Sequence, residues 1–270
     1  MIIRFLCVLC FSALLLFAYS DSDMDGVEDY EDKCPNTQFD ELVEYDGCSK
    51  SGNDKKLNYT LVLGTRYAQK NYSSQLEGDT HYLYIQNDIS YLKWNFEATI
   101  SYYRLEDETS VEYGLDDTLL TLSYQTISDK TFSLWLGGGV ILPTYKSLYH
   151  NEATDYILTL EAFYELHYKN YLFANYAYTF IQDDNLQNII YQDTQSLQFG
   201  IGFTPTQKHS YTIAYSRSDS IYRDIETIQE LRLGASMAID KNLFGGITYD
   251  YGLSKSASAH AFGCYLSYSF

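Results

Sequence analysis

Between Leu57 and Phe270, apolar and polar residues alternate in runs of about ten, and the breaks between runs are by turns long and short. The final run is the clearest. Phe262, Cys264, Leu266, Tyr268 and Phe270 share one parity; Ala261, Gly263, Tyr265, Ser267 and Ser269 share the other. A period of two sends successive side chains to opposite faces of a strand. The pattern predicts twelve strands, at 58–69, 80–91, 94–104, 117–127, 131–142, 154–168, 171–182, 194–204, 209–218, 227–239, 242–252 and 259–270. Strands with one oily face can cross a bilayer when their sheet closes on itself, because closure leaves no unpaired edge in the hydrocarbon. The expected fold class is therefore all-β, a transmembrane antiparallel β-barrel of 12 strands.

The breaks agree with that topology. Lys93, Ser128–Lys130, Lys169–Asn170, Pro205–Lys208 and Asp240–Lys241 make short connections, while those near 70–79, 105–116, 143–153, 183–193, 219–226 and 253–258 are mostly longer. Bacterial barrels keep short turns in the periplasm and longer loops outside. With both ends in the periplasm the strand number is even.

Parity then sorts the side chains. Leu61, Leu63, Leu83, Ile85, Trp94, Phe96, Ile100, Leu120, Leu122, Leu158, Leu160, Leu197, Phe199, Ile201, Leu231 and Leu233 fall outward. Arg66, Asp88, Glu97, Glu161, Glu165, His167, Glu230, Arg232 and Asp250 fall inward. A charge on the lipid face at the midplane costs about 2–4 kcal/mol, so this sorting is what a bilayer demands. Two readings of such a lumen stand: an acidic, mildly cation-favouring path, or an interior sealed by ion pairs in which Arg66 and Arg232 neutralise the acids. Gly137-Gly138-Gly139 inside a strand suggests a bend, or close packing against a bulky lumen residue.

Composition adds a compartment. Aromatics make up 17% of the 270 residues, with 29 Tyr against 2 Trp, which suits an outer wall and its interfacial girdles. The mean hydropathy of -0.27 is compatible with a membrane, because a barrel strand shows lipid only every second residue. Residues 1–20 read as a signal peptide: Arg4, the apolar run Phe5–Phe17, then Ala18-Tyr19-Ser20 as a cleavage site after Ser20. Cys7 and Cys10 would leave with it. Residues 51–56 make a polar linker, and 57–270 the barrel. The expected location is the bacterial outer membrane, with the N-terminal segment in the periplasm and outer-membrane lipid around the wall.

Charge is concentrated at the front. The net charge is -18, and residues 21–50 hold eleven Asp/Glu and two Lys. No basic stretch exists to meet nucleic acid. Asp21, Asp23, Asp25, Asp29 and Asp32, with Gly26, stand at positions 1, 3, 5, 9, 12 and 6 of a loop with the spacing of a Ca²⁺ site. A hard cation needs six to eight oxygens at short range, and Gly26 permits the sharp reversal. Without a cation, crowded carboxylates repel one another. The alternative is a solvated acidic leader. Cys34 and Cys48 lie fourteen residues apart in a segment too small to build a core, so a disulfide is the expected staple. Closing a loop of that size is worth about 3 kcal/mol in the loop-entropy model. Cys264 has no partner and reads as a small residue of the wall.

This segment resembles a thrombospondin type 3 repeat, whose D-x-D-x-D-G-x-x-D-x-x-D-x-C-P pattern is met from Asp21 to Pro35. The resemblance implies a calcium site using Asp21, Asp23, Asp25, the Val27 carbonyl, Asp29 and Asp32. It is also similar to the single copies found beside barrels in outer membrane protein A-like proteins, where C-P-N-T and a terminal G-C stand as Cys34–Thr37 and Gly47-Cys48 do here. In those proteins the repeat usually follows the barrel; here it precedes it. The terminal Phe270 with Tyr268 looks like the signal read by the barrel-assembly machinery, although Tyr265 occupies a position where a glycine is usual.

The expected function is a passive channel or small-solute transporter with a calcium-binding head. The alternative is a sealed structural, adhesion or interaction barrel. A lipid hydrolase is a third class, but His209 and Ser210 are adjacent and point to opposite faces. His167 near Glu161 and Glu165 suits a structural hydrogen bond better than acid–base chemistry, so the chain is not read as an enzyme.

Overall fold

The computed structural model describes Val27, residues 32–34, Cys48 and residues 57–270 apart from 72–77, 108–109, 130, 146–152, 167–168, 186–188 and 207. The strands are β1 (Leu57–Asn71), β2 (Gly78–Tyr91), β3 (Trp94–Glu106), β4 (Val111–Leu115), β5 (Thr118–Ser128), β6 (Phe132–Leu142) and β7 (Asp155–Glu165). They continue as β8 (Asn170–Phe180), β9 (Thr194–Thr206), β10 (His209–Ser218), β11 (Ile228–Ala238), β12 (Leu243–Gly252) and β13 (His260–Ser269). Every pairing is antiparallel between neighbours, and β13 returns to β1 with Thr60 opposite Ser269 and Gln69 opposite His260. The sheet is closed.

β4 and β5 form one staple of the wall. β5 pairs with Trp94–Thr99 of β3 and β4 with Tyr102–Glu106, so the barrel has 12 wall positions and one strand broken at Asp116–Asp117. The sequence expectation put residues 105–116 in a loop. Val111, Tyr113 and Leu115 are instead exposed outward, with Glu112 and Gly114 turned in, and a turn at Asp107–Ser110 closes the hairpin. Ser110 donates its backbone N–H to Asp107 Oδ1 at 2.7 Å, the local Asx bonding that makes such a turn.

The register puts the two kinds of side chain on two surfaces. Leu63, Leu83, Ile85, Trp94, Phe96, Ile100, Leu122, Leu158, Leu160, Leu197, Phe199, Ile201, Leu231 and Leu233 are all exposed on the outside. In water so broad an apolar surface would be a large liability; against acyl chains it is the stable arrangement. Leu57 and Phe270 lie at one end, where the connections are tight, and Leu92 takes φ 56° in the two-residue turn to β3. This is the turn end; the opposite, loop end carries the longer segments.

Close approaches inside the wall explain the glycine run. A Cβ at Gly139 would fall on the Leu120 carbonyl oxygen and one at Gly137 on Thr159 Oγ1, whereas Gly138 faces outward with Leu158 Cδ2 no nearer than 3.5 Å. The close packing is against backbone and small polar side chains. It is not against a bulky lumen residue, as one sequence reading had it. Bulky rings press on Gly64, Gly200, Gly202 and Gly246 instead.

Candidate functional site: the two halves of the lumen

The loop-end half is built around one carboxylate. Asp250 on β12 is 2% exposed and takes three charged hydrogen bonds: Arg232 Nε at 2.6 Å and Nη2 at 3.0 Å, and Arg66 Nη2 at 3.0 Å. Glu230 Oε1 lies 3.8 Å from Arg66 Nη2. Two arginines and two acids from β1, β11 and β12 thus make a neutral cluster. A recess of about 310 Å³ opens beside it, lined by Arg66, Tyr82, Glu230, Arg232, Ser256 and Ser258. The two serines belong to segment 253–259, which folds in under the mouth: Ser256, Ala257 and Ser258 are buried, and Ala259 donates its N–H to Gln69 O at 3.0 Å.

Other loop-end segments also turn inward. Residues 189–193 and 219–227 are stitched by an antiparallel bridge between Tyr191 and Tyr222, whose rings lie 5.7 Å apart. Gln192 donates its backbone N–H to Ile221 O at 2.9 Å, and Arg223 to Ile190 O at 3.0 Å. Burial first, and then the neighbouring Tyr191, Tyr145, Asp183 and Glu112, push the Tyr222 phenol far above its ordinary range. Glu112 in turn accepts Tyr103 at 2.7 Å and Tyr145 at 3.1 Å. A tyrosine-rich layer therefore narrows the mouth from both sides.

The turn-end half has a different chemistry. Asp88, Glu97, Glu161 and Glu165 all face inward by register, and Glu97 is near enough to Asp88 and Glu161 to feel both charges. Asp88 accepts Gln86 Nε2 at 3.2 Å, and Glu97 accepts Thr99 Oγ1 at 3.1 Å. Among the described residues no Lys or Arg bridges any of these four; the two inward arginines are held at Asp250.

Beside these acids stand four inward rings that the sequence reading passed over: Trp135 on β6, Phe163 on β7, and Tyr171 and Phe173 on β8. Phe163 stacks on Tyr171 at 4.9 Å, and Tyr171 meets Phe173 at 6.2 Å. Tyr171 and Phe173 come close to the β9 backbone because glycines stand opposite them. A Cβ at Gly200 would come within 2.6 Å of Phe173 Cζ, and one at Gly202 would fall on the Tyr171 ring. The rings, with Glu161, Asn175 and Thr212, enclose a recess of about 330 Å³.

Remaining predicted residues fall as follows. His167, Asp21, Asp23, Asp25 and Asp29, and the signal peptide, lie outside the described residues. Cys34 and Cys48 form a disulfide with their Cα atoms 4.9 Å apart. Asp32 Oδ1 accepts the Cys34 N–H at 2.7 Å, while its Oδ2 is buried with no hydrogen-bond partner among the described residues. Val27 is buried at 8% exposure. A buried carboxylate oxygen without a donor is costly alone and suits a cation ligand. The described residues therefore fit a calcium loop at the one acidic position they include. His209 pairs with Met237 and Ser210 with Ser236, on opposite faces, so the two cannot act together; Ser210 shares a 3.1 Å hydrogen bond with Tyr171. Cys264 is exposed outward on β13.

No protein-family model matches the chain, and no curated protein matches it. Among solved structures it is similar to the KdgM porin, with a TM-score of 0.53 at 13% identity over 77% of this chain and 99% of that one. A second structure, the KdgM porin in complex with disordered oligogalacturonate, gives 0.51 at 12% identity over 77% and 99%. The NanC porin in a rhombohedral crystal form gives 0.51 at 10% identity over 79% and 99%. At such identities the likeness is one of fold: this is a porin-like barrel.

Proposed function

We propose that the chain is a passive, cation-preferring channel of the bacterial outer membrane, with its loop end outside and its N-terminal segment in the periplasm. One observation carries the reading: both inward arginines are spent on Asp250, which leaves Asp88, Glu97, Glu161 and Glu165 with no described cationic partner. Fixed carboxylates in a confined path raise the local concentration of cations and repel anions. An ion-paired plug needs cations distributed among the acids, and the cluster at Asp250 concentrates them in one place. Oligogalacturonate, the solute named with one structural neighbour, is itself an acid and suits this lumen poorly. The role is transport rather than catalysis. The test is a planar bilayer with a KCl gradient across it. A reversal potential on the cation side supports the reading, an anion-side potential refutes it, and a silent bilayer favours the sealed interaction barrel.

The acidic head is a second, separate reading. We infer that residues 21–50 form a thrombospondin type 3-like unit holding Ca²⁺ through Asp21, Asp23, Asp25, the Val27 carbonyl, Asp29 and Asp32. The buried, unpartnered Asp32 Oδ2 supports it. Calorimetric titration of the full-length protein tests it: heat of binding at up to about millimolar Ca²⁺, absent in Asp25→Ala, is expected. No heat in the unsubstituted protein over that range removes the metal. Assembly is proposed to begin at Phe270, which is 69% exposed and packs edge-on against Tyr268 at 4.8 Å. Deleting Phe270 should slow insertion by the assembly machinery, measured as protease-sensitive precursor.

A further inference from the structure

Ion preference uses only Glu161 of the aromatic recess and leaves its four rings without a role. Four inward rings on three adjacent strands are unusual expenditure for a path that carries only small ions, since water-filled walls are otherwise polar. Gly200 and Gly202 leave room for Phe173 and Tyr171 to lie close on the β9 backbone. Flat apolar faces next to a few fixed polar groups are how small-molecule sites bind a ring and fix its orientation. The polar groups here are Glu161, Asn175 and Thr212. Glu161 is exposed to the lumen, and no described Lys or Arg bridges it. The volume, about 330 Å³, lies at the small end of ligand sites.

We propose that this recess is a binding subsite for a protonated amino sugar, with one face of the sugar ring stacked on Trp135 and Phe173 and its ammonium group on Glu161. Each half of that chemistry excludes a competitor. The aromatic faces reward the C–H face of a pyranose, which a hydrated metal ion of the same charge does not have. The carboxylate, with Glu97 within electrostatic reach of it, rewards the ammonium and opposes a uronic acid of the same shape. Asn175 pairs with Gln198, Nδ2 to Oε1 at 3.3 Å, and this amide pair can exchange hydrogen bonds with ring hydroxyls. The site deepens the channel reading, since it would lie along the proposed path, yet it can be tested without any current.

The protein has two tryptophans, and they separate cleanly: Trp94 is on the outer wall at 47% exposure, and Trp135 lines the recess. In detergent-folded protein carrying Trp94→Phe, emission reports Trp135 alone. Titration with glucosamine should shift that emission saturably; glucose should need a concentration higher by about tenfold or more, and glucuronate should give no shift. Glu161→Gln should erase the preference for glucosamine over glucose. If Trp94→Phe fails to fold, the unsubstituted protein and Trp135→Phe give the same answer by difference. No emission change with glucosamine, or equal response to glucose and glucosamine, overturns the proposal. Conductance of the same preparation keeps the two readings apart. A saturable Trp135 response in a silent barrel ends the channel and keeps the site; conduction with no response does the reverse.

Discussion

Arg232 closes a two-point grip on Asp250, Nε and Nη2 meeting the two carboxylate oxygens at 2.6 and 3.0 Å, across the β11–β12 seam. The planar fork of a guanidinium matches a carboxylate in this way and a lysine cannot. Arg66 then adds a third bond from β1, so one acid joins strands that β13 separates.

Removing that acid should have two separable effects. Asp250→Asn leaves two guanidinium groups in the lumen with one fewer negative charge. Their side chains are about one-third exposed, so solvent recovers part of the loss, and destabilisation of about 2 kcal/mol is expected against the 3–5 of a fully buried pair. The freed charge should also move the reversal potential toward the anion side. Arg232→Lys should keep the charge balance but lose the grip, lowering stability with selectivity unchanged. Urea unfolding in lipid vesicles and bilayer recordings on the same variants check both.

Two adjacent glycines should behave oppositely. Gly139→Ala drives a methyl into the Leu120 carbonyl on the neighbouring strand, an overpacking without a flexible side chain to yield, and should cost about 1–3 kcal/mol. Gly138→Ala adds a methyl to the lipid face, where its neighbours stand at ordinary contact distance, and should be neutral or slightly stabilising. The fraction of heat-modifiable, folded protein on a semi-native gel distinguishes them.

The same contrast shows what could be read from the chain alone. Ten-residue alternation exposes a wall strand because lipid and lumen impose opposite demands at every step, and that rule is local. β4 escaped it: Val111 to Leu115 alternates as well as any strand, but Asp116-Asp117 after it has the look of a loop. The acids there are tolerated because the wall turns aside, with Tyr145 donating its N–H to Asp117 Oδ1 at 3.0 Å. The inward rings were legible in principle, since Trp135 has the lumen parity of its strand and Phe163 shares that of Glu161 and Glu165. They were obscured because an aromatic in a barrel sequence reads first as outer wall. The grip on Asp250 was not legible at all. It depends on the register of β1, β11 and β12, residues up to 184 apart in sequence.

The Tyr191–Tyr222 bridge predicts a mouth that stays narrowed at neutral pH. Tyr222→Ala should free residues 219–227, loosening the backbone around the already exposed Arg223 so that trypsin cuts there faster, and enlarging single-channel conductance if the barrel conducts. Burial holds the Tyr222 phenol neutral, its folded pKa lying above the ordinary tyrosine value. Stability that depends on the neutral phenol is therefore complete below about pH 10 and lost as pH rises beyond it. Trypsin cleavage at Arg223 in the unsubstituted protein should be unchanged from pH 7 to 9. A steady rise across that interval would mean that some other group governs the loop.

The disulfide should matter to the head and not to the barrel. Asp32 Oδ1 is tied to the N–H of Cys34, so the covalent link to Cys48 fixes the carboxylate whose other oxygen is left for a cation. Opening the link returns chain entropy to the segment, worth about 3 kcal/mol in the loop model, and that loss falls on whatever orders the segment. If calcium orders it, reduction should weaken the metal by up to about a hundredfold, since 1.4 kcal/mol corresponds to a factor of ten. Calorimetry of the full-length protein with and without dithiothreitol measures this. The Cys34→Ser, Cys48→Ser double variant should reproduce the reduced behaviour, and the urea midpoint of the barrel should stay where it was. Equal calcium affinity in the oxidised and reduced forms would show that the metal loop orders without its staple.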